Sequence, residues 1–143
     1  MALLEDDDAI RELLEQARVI AVLGIKGGER DDAHEVPRYM QDAGYRILPV
    51  NPKLERVLGE AVADRLAAID TPFDLLDVFR APHHLPDHVD EILALPHRPR
   101  AVWLQLVIRD DASAARLCAA GIDVVQDRCL MVEHRRLLGG STA

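Results

Sequence analysis

Residues 24–30 read GIKGGER, and 51–53 read NPK; between them they hold the glycines and cations that could bind an anion. Gly24, Gly27 and Gly28 follow an apolar run, as in a phosphate-binding turn, but their spacing is not the GxGxxG of dinucleotide sites. Backbone N–H groups of such a loop, the N-terminus of the helix after it, and Lys26 or Arg30 can together hold an anion. A flexible connection with solvated charges is the plainer alternative. In the second stretch Asn51, Pro52 and Lys53 stand where an NAD-binding domain carries the acid that bonds the ribose 2′-hydroxyl. A cation there disfavours NAD and suits a ligand with an additional phosphate near its ribose. Phe79 ends a third apolar run and Arg80 follows it: an aromatic face and a cation, or a core residue and a solvated one. In AVWLQL (101–106) alternation places Trp103 and Gln105 on one face, and a buried amide needs partners, either backbone or ligand.

Other chemistry is poorly provided for. His83, His84 and His88 cluster, but Pro86 interrupts any i, i+4 pairing on one helix, and no cysteine is near, so a metal site is not expected. Glu133 and His134 are sequence neighbours on different helix faces. Ser113 lacks a GxSxG elbow, and no GxxxxGK[ST] loop is present. Asp127 and Arg128 are expected to pair with each other. Cys118 and Cys129 are too few for a disulfide framework, and a mixed disulfide between Cys129 and a ligand thiol is the less ordinary reading of that residue.

The elements that would position these residues repeat regularly. Five apolar runs, VIAVLG (19–24), YRILPV (45–50), FDLLDVF (73–79), AVWLQL (101–106) and IDVVQD (122–127), alternate with helical patterns. Ile10, Leu13, Leu14 and Ala17 form a stripe behind Asp6–Asp8, in an N-terminal helix within residues 1–18. Val36, Met40 and Ala43 form a second; a proline is tolerated in a first turn, so Pro37 predicts an N-cap near His34 and a loop of about ten residues before it. Val89, Ile92 and Leu93 follow Pro86 in a third, Ala112, Ala115, Leu117 and Ala119 form a fourth, and 131–138 a last one ahead of a frayed tail, 139–143. Residues 53–70 have mixed periodicity and read as a loop with a short helix near 63–68. Alternating strands and helices imply an α/β, Rossmann-like three-layer αβα sandwich with a five-stranded parallel sheet. The expected order is 3-2-1-4-5, with the ligand crevice between the first and fourth strands.

The 143 residues suffice for one domain with a real core, residues 1–143, and no linker or repeat divides them. A net charge of −8 argues against nucleic acid, which is bound mainly by neutralising phosphates. No apolar run approaches the ~20 residues of a membrane span. The acidic start is unlike a signal peptide, so a cytoplasmic protein is expected; the oligomeric state is left open.

In this order and spacing, IAVLGIK, HEVPRYMQDAGYRILPVNPK, VLGE, VFRAP, AVWLQL and DRCLMVEHRRL resemble the small coenzyme A-binding proteins of the CoA-binding domain family. The resemblance spans roughly residues 15–138 and extends to the nucleotide-binding domain of succinyl-CoA ligase alpha subunits. It implies coenzyme A or an acyl-CoA as ligand, with Gly24, Ile25, Lys26, Gly27 and Arg30 at the phosphates. Asn51, Pro52 and Lys53 would lie by the adenosine 3′-phosphate, Phe79 and Arg80 would flank the nucleotide, and Trp103 and Gln105 would line the crevice. Many relatives place Ser or Thr early in the phosphate loop; Ile25 and Lys26 replace them here, which favours backbone contacts. The ligases work through a phosphohistidine in a second domain and an ATP-grasp partner, for which this chain is too short. A binding module without catalysis of its own is therefore expected. The alternatives are an NAD(P)-binding enzyme, an accessory subunit of an acyl-CoA ligase, and a metabolite-sensing regulator.

Overall fold

The computed structural model describes residues 2–28 and 30–139. Five parallel strands, β1 (Val19–Leu23), β2 (Arg46–Val50), β3 (Leu75–Val78), β4 (Ala101–Leu104) and β5 (Asp123–Val125), form one sheet. Helices α1 (Asp7–Gln16), α2 (Asp32–Asp42), α3 (Leu85–Leu93), α4 (Asp111–Ala119) and α5 (Leu130–Leu138) cover it. One core layer packs side chains of α1, α2 and α5 on the sheet; the other packs those of α3 and α4. The three-layer αβα class is as expected. No helix among the described residues is long and apolar enough to cross a membrane.

The strand order is not 3-2-1-4-5 but β2-β1-β3-β4-β5. Pro49 explains why β2 cannot lie inside the sheet. A proline donates nothing to a ladder and is confined to edges. Its nitrogen lies on the outer side of β2, where its carbonyl accepts from Ala63 N–H at 2.9 Å, while Gly24 N–H bonds Val50 O on the inner side. A further bond from Asn51 N–H to Ala63 O, 2.9 Å, completes a single parallel bridge between Val50 and Ala63, which covers this edge of β2 lightly. The connection 53–70 is accordingly no full crossover helix. It forms a two-stranded hairpin, Arg56–Val57 with Glu60–Ala61, and a 3-10 turn at Leu66–Ala68. Its mixed periodicity reflects that irregular path.

Helix starts follow local chemistry. Asp6 caps α1 by accepting from Ala9 N–H, and Ile10, Leu13 and Leu14 are buried. Ahead of it, Ala2 and Leu4 bond Val124 on the open edge of β5, which shields that edge. α2 begins at Asp32 with Asp31 as N-cap, not near His34, and Pro37 lies inside it. The carbonyl that Pro37 leaves without a helical donor belongs to Ala33, and Lys26 N–H fills it at 3.1 Å. A loop residue thus takes the place of the missing helix bond. α4 is rotated from the alanine stripe expected: Ser113, Ala114 and Leu117 are buried, because alanines bury little area and Leu117 sets the face. Of the predicted tail, only Gly139 lies within the described residues.

Candidate functional site

With β3 rather than β4 beyond β1, the chain turns to opposite sides of the sheet between β1 and β3. α2 then covers one face and α3 the other, so the crevice opens between the carboxyl ends of β1 and β3, one strand away from the β1–β4 position expected.

Gly24 forms the floor. Its φ is +87°, and a Cβ there would lie 2.5 Å from the Phe79 carbonyl oxygen. Gly24 N–H bonds Val50 O at 3.0 Å and Phe79 N–H bonds Leu23 O at 2.9 Å, so three strand ends meet at this residue. Beyond it the loop is pinned, not free. Lys26 N–H holds Ala33 O, and the buried His34 ring lies with Nδ1 2.9 Å from Lys26 O. A carbonyl only accepts, so His34 donates. Asn51 ties the loop to the second turn: its Nδ2 donates to Ile25 O at 2.7 Å and its Oδ1 accepts from Lys53 N–H at 2.7 Å. Ile25, expected at the phosphates, is instead fully buried and outside the cavity lining, with its carbonyl taken by Asn51.

These elements enclose a cavity of about 440 Å³. Of the residues singled out in the sequence, Gly24, Lys26, Asn51, Pro52, Lys53, Phe79 and Arg80 line it. Arg65, His84, His88 and Glu91 also line it and were not foreseen. Arg65 comes from the irregular 53–70 connection, where no periodic signal marks it. His84 and His88 were considered only as metal ligands; their closeness to Pro86 and the third strand's end was the available clue. Four cations, Lys26, Lys53, Arg65 and Arg80, face two acids, Asp64 and Glu91, in a chain of net charge −8. Lys26 Nζ is 3.5 Å from Asp31 Oδ2, an exposed pair that an anion could readily replace. His84 is held below the ordinary imidazole value, first by lost solvent and then by Arg80, His83 and His88.

Other expected site residues lie elsewhere. Trp103 is fully buried and donates Nε1–H to Arg128 O at 2.8 Å. Gln105 Oε1 accepts from Leu130 N–H at 3.0 Å, which satisfies an orphan donor at the start of α5. Both are structural, and neither lines the cavity. Their strand β4 is not adjacent to β1, which is why the crevice misses them. Gly27 and Arg30 are exposed on the loop but outside the cavity lining. Cys129 is the N-cap of α5 and is also outside it.

Asp127 and Arg128 do not pair. Arg128 bonds Glu133 at 2.8 Å, and Asp127 Oδ1 accepts from Val107 N–H at 2.6 Å. That contact holds Val107, a β-branched residue, at φ +62° and 81% exposed. Such a conformation costs ~1–3 kcal/mol, and glycine would forfeit ~0.5–1 kcal/mol of that in chain entropy. Val107→Gly is therefore expected to stabilise the protein by about 1 kcal/mol, read as a higher midpoint in urea unfolding. An unchanged or lower midpoint would show that the valine side chain earns its place by contacts instead.

Comparison with known proteins fits this architecture. A family model described as CoA binding domain matches residues 18–135. An uncharacterized Bacillus subtilis (strain 168) protein, YneT, is 34% identical over 125 residues, covering 87% of this chain and 91% of that protein. The solved structure of cell-free ID.343 from Thermus thermophilus shares 49% identity with a TM-score of 0.88, over 93% of this chain and 99% of that one. A hypothetical protein from Pyrococcus horikoshii OT3 shares 32% with a TM-score of 0.88, over 94% of both chains.

Proposed function

The chain belongs to the CoA-binding domain family, and from that premise we propose that it binds coenzyme A or an acyl-CoA in the cavity between β1 and β3. One observation carries this reading: Lys26, Lys53, Arg65 and Arg80 converge with the Gly24 loop on a single cavity at the point where the strand order reverses. The diphosphate is assigned to the backbone of the loop and the start of α2, assisted by Lys26. The adenosine 3′-phosphate is assigned to Lys53, with Arg65 beside it. Phe79, half-buried at the cavity wall, supplies a face for the adenine. The proposed role is binding, with no reaction step assigned to any residue.

Lys53 makes the reading testable. A charge-assisted contact contributes ~1.5 kcal/mol or more, which is about tenfold in affinity. In calorimetry, coenzyme A should bind about tenfold more tightly than dephospho-CoA, and Lys53→Ala should remove most of that difference. Equal affinities in the wild type would sink the 3′-phosphate assignment. NADPH titrated alongside should bind more weakly than coenzyme A; the reverse would favour a dinucleotide site.

A further inference from the structure

The cavity wall opposite the loop carries three side chains in series. Arg80 Nε donates to His88 Nε2 at 3.3 Å, and His88 Nδ1 lies 2.6 Å from Glu91 Oε1. An arginine N–H can only donate, so Nε2 of His88 must be a bare acceptor. Nδ1 then carries the single proton and donates a hydrogen bond to the Glu91 carboxylate. One neutral tautomer satisfies both contacts. The His88 side chain is 14% exposed and Glu91 40%, so the imidazole is largely enclosed while the carboxylate meets solvent.

Arg80 uses only Nε in this series. Its two terminal nitrogens have no hydrogen-bond partner among the described residues, although Arg80 lines the cavity. A guanidinium with its Nε side tethered and its fork unused is arranged for two-pronged contact with a planar or tetrahedral oxyanion. A free arginine would have to give up side-chain entropy on binding; a tethered one has already done so.

We propose that His88, itself held by Glu91, is a positioning residue that fixes Arg80 for contact with a phosphate group of the ligand. This rests on the reading of the cavity as a coenzyme A site. His88 touches no ligand in this scheme: it acts through Arg80.

Two experiments test it. Nitrogen-15 NMR of histidine-labelled, ligand-free protein at neutral pH should show a ring with protonated Nδ1 and bare Nε2 that disappears in His88→Gln. If that ring instead shows a protonated Nε2, the series is overturned. Calorimetry with coenzyme A then compares two substitutions that divide the imidazole's roles. Glutamine offers an amide oxygen near the Nε2 position and can accept from Arg80. Asparagine reproduces only the Nδ1 side, facing Glu91. His88→Asn should weaken binding about tenfold, matching Arg80→Ala, the loss of one charge-assisted contact; His88→Gln should stay near wild type. Equal losses in both variants, or none in either, would overturn the positioning role. If the wild type does not bind coenzyme A, that reading fails by itself. Inorganic pyrophosphate, followed by NMR shifts of the loop amides, then serves as probe for the same variants with the same expected order.

Discussion

Gly24→Ala should abolish coenzyme A binding and lower the unfolding free energy by about 3 kcal/mol, on the scale of a left-handed strain plus a backbone clash. The added Cβ would lie 2.5 Å from Phe79 O, 3.1 Å from Phe79 C and 3.3 Å from Arg80 Cδ. The first two atoms are backbone and cannot swing away. Phe79 N–H is itself bonded to Leu23 O and Gly24 N–H to Val50 O, so relief means parting the ends of β1 and β3. Those ends are the floor of the cavity and the base of Arg80. A φ of +87° adds strain for any residue with a Cβ. Gly28→Ala is the control, since a Cβ there meets nothing within 4 Å among the described residues beyond its chain neighbours; its stability should stay within ~0.5 kcal/mol of wild type. Urea unfolding and calorimetry read both effects, and a Gly24→Ala protein with wild-type stability and affinity would refute the account.

Asp77→Asn should change how stability varies with pH. Asp77 lies in β3 with Val22 and Trp103 as its neighbours across the ladders, and it is fully buried. Neither carboxylate oxygen has a hydrogen-bond partner among the described residues. Burial lifts the carboxyl well above the usual aspartate range, because no partner offsets the desolvation of a charge. The folded chain therefore keeps a proton that the unfolded chain has lost above about pH 3.9. Where the folded state binds one proton more, stability falls by about 1.4 kcal/mol per pH unit. The fall begins near the unfolded value and ends at the raised folded one. His134 works in the opposite sense: burial lowers its value, and the stability it contributes is lost as pH falls through the ordinary imidazole range. Taking the difference between wild type and Asp77→Asn cancels His134 and every other group. Asparagine keeps the shape and cannot ionise. The variant should therefore gain on the wild type by about 1.4 kcal/mol per unit from about pH 5 upward, measured by urea unfolding at a series of pH values. A pH-independent difference would mean that Asp77 is ionised in the folded protein.

Much of this architecture is legible without coordinates. The five apolar runs, the helices between them and the parallel class follow from periodicity, because burial on both faces selects continuous apolar strands. Gly24 and the Asn51–Lys53 turn stand out because glycine, proline and a cation each restrict or charge the backbone locally. What periodicity reports is that a segment is buried, not which strand lies beside it. The order β2-β1-β3-β4-β5 therefore needed the tertiary structure, although Pro49 carried an edge signal in plain sight. Similarly, Pro37 ends a helix only when the carbonyl it leaves empty finds no other donor, and Lys26 N–H arrives there from outside the helix. Gln105 had two readings, ligand or backbone, and the docking of α5 selected the backbone of Leu130. Arg65 and the Arg80–His88–Glu91 series belong to the cavity through the path of an irregular connection and the placement of α3. Residue types thus determined the layers and the two turns that carry glycine, proline and cations. Which walls those turns face was decided by long-range packing, which no local pattern encodes.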